Sequence, residues 1–499
     1  MPTITIDGRE IPAREDGTIL EAARAAGIEI PTLCHMEGYE AGASCMVCAV
    51  KLKHSGQLIP SCASKVVDGM EIESASDDVR GARRMALELL FSDHMGDCLS
   101  PCQRICPAQL TIPAVLEHLR QDEPDQAAGI VRRDLALPGV LCRVCHRPCE
   151  SGCRRGTHDE PVAIAELVLH AINVGATSAP SPAAEVRDER IAIIGSGFTG
   201  LSAAWFLARQ GYRPVVFERA DGPADSIRRE YPDLPGTALA AELDLLKSSG
   251  VELVTGREID DPAPLLGEFD AVLIATGPGD DKPEVDKDTM RVVGTAGIFA
   301  AGRVLRPTGK PVQSVADAKA VASCIDQHLR GRPVQRPPKP FSIFMGKLLD
   351  GEMDDFLKES SDAHREETVD IDHALAESRR CVMCHCAKAD TCKLRQLAID
   401  YEVNPKRYNT GERLRYSRNI EHPLVRFEPA KCIRCGNCIK VAGRHAEALG
   451  LTFIGRGFDV HLGVPFHGTL DEGLRIAAEE AIAACPTGAL THREVERRL

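Results

Sequence analysis

Cysteine placement constrains this chain more than any other feature. Of its 499 residues, 20 are cysteine, and all but Cys324 fall into four dense groups, at 34–62, 98–153, 381–392 and 432–485. The opening residues, Met-Pro-Thr-Ile-Thr-Ile-Asp-Gly, lack the basic start and apolar run of an export signal. The thiols are therefore expected to be reduced and the chain cytoplasmic, since disulfides are rare in that compartment. Clustered reduced thiols act most simply as metal ligands, so the fold has to bring cysteine-bearing loops together around metal.

The length suits about three or four domains, and 43% hydrophobic residues permit ordinary cores. A net charge of −13 argues against nucleic acid or an anionic membrane surface as partner. No stretch approaches the roughly 18 apolar residues that a membrane span needs. The expected class is multidomain, α+β and α/β.

Residues 1–80 read as one small β-rich domain. Thr3-Ile4-Thr5-Ile6 alternates, Asp7-Gly8 supplies a hairpin turn and Ile11 begins the return strand. Thr18 is placed to cap a helix over Ile19–Ala25 that ends at Gly27. Cys34, Cys45, Cys48 and Cys62 follow, with ten, two and thirteen residues between them. A loop bearing a Cys-x-x-Cys pair and two isolated thiolates can wrap a [2Fe–2S] centre, with a structural zinc site as the competing reading. The order of hairpin, helix and cysteine loop resembles the amino-terminal [2Fe–2S] domain of the large iron–sulfur subunit of respiratory complex I and of related hydrogenase and formate dehydrogenase subunits. That resemblance implies a β-grasp fold.

Residues 81–176 are expected to be mainly helical, beginning with Val79–Phe91. His94, Cys98, Cys102 and Cys106 then recur every four residues, and Cys142, Cys145, Cys149 and Cys153 follow downstream. Amphipathic helices are expected between them, over Ile112–Leu119 and Asp125–Arg132. Seven cysteines fall one short of the eight ligands that two four-iron clusters need, and His94 is the obvious eighth candidate. The region resembles the amino-terminal iron–sulfur domain of the glutamate synthase small subunit and its relatives, including dihydropyrimidine dehydrogenase and the bifurcating transhydrogenase. The resemblance implies interleaved clusters: Cys98, Cys102 and Cys153 with His94 in one, Cys106, Cys145 and Cys149 in the other. The family's last ligand lies in a later helix, where this chain has apolar Val168. That leaves the eighth position open among His94, Cys142 and Glu166. His94 ahead of Cys98 also resembles the His-plus-three-Cys cluster of the complex I subunit.

Residues 176–189 read as a linker. Within 188–331, Ile191–Ile194 reads as a short buried strand, and Gly195, Gly197 and Gly200 give G-x-G-x-x-G spacing before a helix over Leu201–Arg209. Phe198 and Thr199 lie inside that turn, and Val215–Phe217 leads to Glu218, an acid placed for a ribose hydroxyl. Strand, glycines, helix, strand and acid in register point to a dinucleotide. A helix over Leu239–Ser248, strands at 251–254 and 269–275, Gly277, Gly302 and a helix over Ser314–Leu329 complete the order. It resembles the FAD-binding half of glutamate synthase-like flavoenzymes, which implies a Rossmann-like FAD domain. Two departures stand out. Nineteen residues separate Gly277 from Gly297, too few for the family's inserted NADPH domain, since a βαβ unit takes about 30. Where the family has Gly-Asp, this chain has Gly302-Arg303, and Arg303 could reach a pyrophosphate. Cys324 is expected to be a core residue of the last helix.

Residues 332–420 read as a linker carrying a cysteine motif. Gly331–Pro340 is stiff and proline-rich, Asp362–Arg379 reads as a helix, and Cys381, Cys384, Cys386 and Cys392 fall within twelve residues. Four thiolates so close suit a [4Fe–4S] cluster or tetrahedral zinc. In 421–499, Cys432, Cys435 and Cys438 form the C-x-x-C-x-x-C run of bacterial ferredoxins, and Cys485-Pro486 supplies the distant fourth ligand. One [4Fe–4S] cluster is complete there and a second is not, which again resembles the complex I subunit and its hydrogenase relatives.

The inventory is one [2Fe–2S] centre, up to four [4Fe–4S] centres and FAD. No acid–base pair or nucleophile motif stands out. Complex I-like ends around a glutamate synthase-like middle imply an electron-relay subunit of a cytoplasmic oxidoreductase. Its implied partners are an FMN-containing NAD(P)H-dehydrogenase subunit and a hydrogenase- or formate dehydrogenase-type catalytic subunit. The alternatives are a self-contained NAD(P)H:acceptor oxidoreductase of the glutamate synthase small-subunit kind and a zinc-bound scaffold.

Overall fold

The structure is a computed structural model and describes residues 1–175, 186–279, 282–365, 371–409, 411 and 413–493. Most of the expected linker at 176–189 lies outside the described residues. The chain divides into two compact units. The first comprises Met1–Leu99, Phe341–Glu359 and Cys384–Leu499; the second comprises Ser100–Pro340 and Ser360–Met383. Neither follows the linear order of domains read from sequence. The segment 81–176 is cut at Leu99, and 332–420 is shared between the units.

In the first unit a five-stranded sheet runs in the order Arg9–Pro12, Thr3–Ile6, Glu71–Glu73, Ala49–Leu52, Leu58–Pro60. Asp7 and Gly8 both hold positive φ, 48° and 82°, the backbone that a two-residue hairpin turn demands. Thr18 caps the helix Ile19–Ala25, and its backbone N–H donates in return to Glu21 Oε2 at 2.7 Å. Ile4, Ile6, Ile19, Leu20, Val50 and Ile72 close the core between sheet and helix. The helix Asp77–Asp93 follows, held by Arg83, which donates twice to Ala49 O. At the carboxyl end the helices Asn437–Arg444 and Ala478–Ala484 pack beside two short ribbons, Val425–Phe427 with Leu490–His492 and Thr452–Ile454 with His461–Gly463.

The second unit joins a helical layer to a parallel sheet. The helices Ile112–Arg120, Pro124–Asp134 and Ile164–Val174 bury one apolar stripe each, and prolines at 113, 124 and 138 sit in first turns, where no N–H is missed. The sheet order is Ile298–Ala300, Ala271–Ile274, Arg190–Ile194, Arg213–Phe217, Glu252–Val254, all parallel. Its central strand is apolar on both faces because helices cover both. Phe198–Arg209 and Pro311–Leu329 pack against each other, with Cys324 fully buried. Glu242, on the helix Gly236–Ser248, ties the two layers: it accepts from Arg132 at 3.1 Å and from Gly139 N at 2.7 Å. The helix expected over Asp362–Arg379 is formed at Ile371–Arg379; residues 366–370 lie outside the described residues.

Candidate metal centres and nucleotide pocket

Four-residue spacing suggested one ladder from His94 to Cys106, but the structure breaks it. Ser100 caps a one-turn helix, Pro101–Ile105, so His94 and Cys98 lie in the loop before it. His94 and Cys98 belong to the first unit and Cys102 and Cys106 to the second.

In the first unit Cys34, Cys45, Cys48 and Cys62 are all buried and joined by thiol contacts. Cys34 interacts with Cys45 and Cys62, and Cys62 also with Cys48. Sharing protons with Cys45 and then Cys62 lowers the Cys34 thiol, while Cys34, then Cys48, raise Cys62. Ala43 and Met46, at φ 47° and 53°, take left-handed backbone within this loop.

Cys432, Cys435, Cys438 and Cys485 line one cavity with Phe453, Leu462 and Pro486. Burial pushes Cys432 up to about 11 and Cys435 up to about 12, and neighbouring thiols add to both. This cavity adjoins the amino-terminal thiols. Asn437 Nδ2 donates to Leu33 O at 3.2 Å, and Cys34, Cys45, Cys392, Ile433 and Cys435 share one apolar cluster.

In the second unit Cys106, Cys142, Cys145 and Cys149 line a single cavity whose other walls include Leu110, Ile164 and Val168. Burial, then repulsion from Cys145, Cys149 and Cys106, drives the Cys142 thiol well above its ordinary value. Val168 reaches this wall but offers no donor. Glu166 is turned to Arg147 at 2.6 Å, and Cys142 is the fourth sulfur on the cavity wall. Cys153 and Cys381 pack against the core of the same unit.

In the motif 381–392, Cys381 falls in the second unit and Cys384, Cys386 and Cys392 in the first. Met383 takes φ 43°, and Cys392 caps the helix Lys393–Asp400, accepting from Arg395 N at 3.4 Å. Among the described residues no three histidine, cysteine or carboxylate side chains close on a point fit for a single ion. The thiols instead stand around cavities, an arrangement in which each can bind a different iron of a cluster.

The nucleotide pocket holds about 550 Å³ at the carboxyl ends of the parallel strands, lined by Gly195, Ser196, Gly197, Phe198, Thr199, Glu218, Arg257, Gly277 and Arg303 among others. Gly195 has φ 106°, and a Cβ there would meet Ala275 O at 2.6 Å. Gly200 lets the helix approach the strand, since a Cβ there would lie 1.9 Å from Gly195 O. Gly302 is similarly bare against Thr199 Oγ1. Burial raises the Glu218 carboxyl, but hydrogen bonds from Ala220 N and Ser196 outweigh it and hold the group below its ordinary value. Arg303, expected to reach a pyrophosphate, instead pairs with Glu230 and donates to Pro307 O at 3.3 Å. The described part of the segment between Gly277 and Gly297 is a turn about Asp286, closed by a bridge from Val285 to Val292.

Three domain families match this sequence: a 2Fe-2S iron–sulfur cluster binding domain over residues 1–77, the 4Fe-4S domain II of dihydropyrimidine dehydrogenase over 95–178, and an NAD(P)-binding Rossmann-like domain over 193–243. The chain is a mosaic of iron–sulfur domains and a Rossmann-like domain. Among its relatives is the NADP(+)-dependent formate dehydrogenase subunit beta of Moorella thermoacetica, 32% identical over 36% of this chain and 29% of that protein. The NADP-reducing hydrogenase subunit HndD of Solidesulfovibrio fructosivorans is 35% identical over 37% of this chain and 32% of its own. The glutamate synthase [NADPH] small chain of Mycobacterium tuberculosis is 30% identical over 36% and 39% respectively. Each match spans well under half of the relative's length. Both resemblances read from the sequence, to hydrogenase and formate dehydrogenase subunits and to glutamate synthase, recur among these relatives. No described helix is long and apolar enough to cross a membrane.

Proposed function

We propose that this chain is an electron-relay subunit of a multi-subunit oxidoreductase, carrying iron–sulfur clusters and FAD. The observation that supports it most is the convergence of the two ends of the chain. Amino- and carboxyl-terminal thiol sets, far apart in sequence, share one apolar cluster through Cys34, Cys45 and Cys435. A storage or scaffold role does not require such proximity; electron passage does.

Cys34, Cys45, Cys48 and Cys62 would hold a [2Fe–2S] centre, and Cys432, Cys435, Cys438 and Cys485 a [4Fe–4S] centre. Cys106, Cys142, Cys145 and Cys149 would hold another. Each set has four sulfurs, the donor count and type such clusters take. The pocket over Gly195–Gly200 fits a dinucleotide: its glycines leave the helix N-terminus open to a pyrophosphate and Glu218 stands ready for a ribose. A bound flavin would supply exchange between two-electron and one-electron carriers. The residues around it bind and orient, and the pairing of Arg303 with Glu230 leaves the pocket wall close to neutral there. The partners would be an FMN-containing NAD(P)H-dehydrogenase subunit and a hydrogenase- or formate dehydrogenase-type catalytic subunit, and the expected site of action is the cytoplasm.

The test is a reductive titration of the full chain purified without oxygen. Bleaching of the visible iron–sulfur absorbance by dithionite but not by NADH or NADPH supports a relay that a partner must load. Bleaching by a nicotinamide at catalytic rates would make the chain a self-contained oxidoreductase. No bleaching by any reductant would point to zinc.

A further inference from the structure

Two sets of potential ligands in the first unit remain without a site: His94 with Cys98, and Cys384, Cys386 and Cys392. They come from opposite halves of the sequence, and the fold brings them together. Cys386 N donates to Cys98 O at 3.3 Å, placing the two loops side by side. Cys98, Cys386 and Cys392 are each buried to the same extent, 7% exposed. Cys392 joins them through the segment 486–488: its thiol donates to Pro486 O at 3.7 Å, two residues before Gly488, which packs against Cys386. Cys386 is also shielded by a close backbone approach. A Cβ on Gly488 would lie 2.2 Å from its sulfur, so only glycine leaves the thiol its place.

His94 opens the loop that carries Cys98. It ends the helix Asp77–Asp93, is 8% exposed, and packs edge-on to Phe91 at 5.8 Å. Its Nδ1 is buried with no hydrogen-bond partner. A neutral imidazole nitrogen left bare in this way has a lone pair to give, and leaving it unmet costs about 1–3 kcal/mol. Lys431 ties this loop to the thiols: Met95 N donates to Ala430 O at 2.8 Å, a Cβ on Gly96 would lie 3.0 Å from Lys431 Cε, and the same Gly488 Cβ that would meet Cys386 lies 3.8 Å from Lys431 Cδ.

We propose that His94, Cys98, Cys386 and Cys392 are the ligands of one [4Fe–4S] cluster. The His94–Cys98 and Cys386–Cys392 pairs are then two halves of a single site, separated in sequence by the whole of the second unit. Cys98 is not a ligand of the helical layer, and the 381–392 group is not a contiguous site. Lys431, one residue before Cys432, lies between this cluster and the carboxyl-terminal one.

The test uses the full chain, purified without oxygen and reduced with dithionite. Electron paramagnetic resonance and iron analysis are compared for Cys98→Ser, Cys386→Ser, Cys392→Ser, Cys102→Ser and Cys384→Ser. The first three should lose one and the same signal and about four irons. Cys102→Ser and Cys384→Ser should keep that signal. Loss of a common signal by Cys98→Ser and Cys102→Ser, with Cys386→Ser unaffected, would overturn the proposal. Should a serine variant fail to assemble, the unmutated protein decides: with 15N-histidine label, pulsed hyperfine spectroscopy should show one strongly coupled nitrogen, lost in His94→Cys. Absence of that coupling overturns the histidine assignment. The inference shares with the proposed function the premise that the thiols hold iron. An iron-free chain sinks both, whereas a different partition of signals sinks only this site.

Discussion

Gly200→Ala should empty the nucleotide pocket, and the structure gives the size of the effect. The added Cβ would sit 1.9 Å from Gly195 O and 3.1 Å from Gly195 C, both main-chain atoms that cannot rotate away. Relief requires the helix Phe198–Arg209 to lift from the strand Arg190–Ile194. That shift carries its N-terminal N–H groups away from where a pyrophosphate would bind. Overpacking of this kind costs about 1–3 kcal/mol, and a clash of backbone with backbone belongs at the upper end. At 1.4 kcal/mol per decade, about 3 kcal/mol weakens FAD binding roughly 100-fold. Gly236→Ala, outside the pocket, is the internal control. A Cβ there would meet nothing within 4 Å. The assay is quenching of flavin fluorescence on titration into flavin-free chain, alongside circular dichroism to confirm folding. Equal affinities for the two variants would refute both the close-approach argument and the placement of the dinucleotide.

Three further outcomes follow from buried groups. Cys142→Ala should remove one four-iron signal and about four irons, whereas Glu166→Ala, which frees only Arg147, should remove none; iron analysis separates them. Lys431→Met should lower the midpoint potential of the adjacent clusters, because the ammonium favours their more negative reduced forms. It also strips Glu428 of a partner at 2.5 Å, so the segment around Val425–Phe427 should exchange amide hydrogens faster. Glu352 is completely buried. Burial pushes its carboxyl up, but the Arg413 guanidinium and the N–H groups of Tyr416 and Leu349 overcome this and hold it at about 2. Because the folded value lies below the ordinary one, its stabilisation of about 3 kcal/mol is complete above about pH 5 and drains as pH falls through 2. Glu352→Gln should flatten that dependence, read as amide exchange over 413–428.

The local chemistry of this protein is legible in its sequence. Asp7-Gly8, the Thr18 cap and the apolar run Ile191–Ile194 each act within a few residues, so the backbone follows the residue types directly. The ferredoxin run at 432–438 is equally self-contained, and its distant Cys485 is marked by the proline after it. What escaped is everything decided by pairing across the chain. Regular spacing made His94, Cys98, Cys102 and Cys106 look like one group, yet Ser100 and Pro101 start a new element between them. Ser100-Pro101 was the visible signal, since serine followed by proline is a helix start. Cys386 against Cys98, and Lys431 beside Gly96 and Gly488, had no signal in sequence at all. Their partners are supplied by segments that meet only in the folded first unit. Likewise Arg303 offered a cation, but nothing nearby in sequence announced that Glu230 would neutralise it.

In the proposed relay the two ends of the chain build one electron path. The most direct measurement is the relaxation rate of the reduced [2Fe–2S] spin as the carboxyl-terminal cluster is reduced stepwise with dithionite. Paramagnets held by adjoining loops relax each other, so the account predicts a power-saturation midpoint that rises as the second cluster gains its electron. The rise should vanish in Cys485→Ser. A [2Fe–2S] signal whose saturation is indifferent to the state of the carboxyl-terminal cluster would contradict the account.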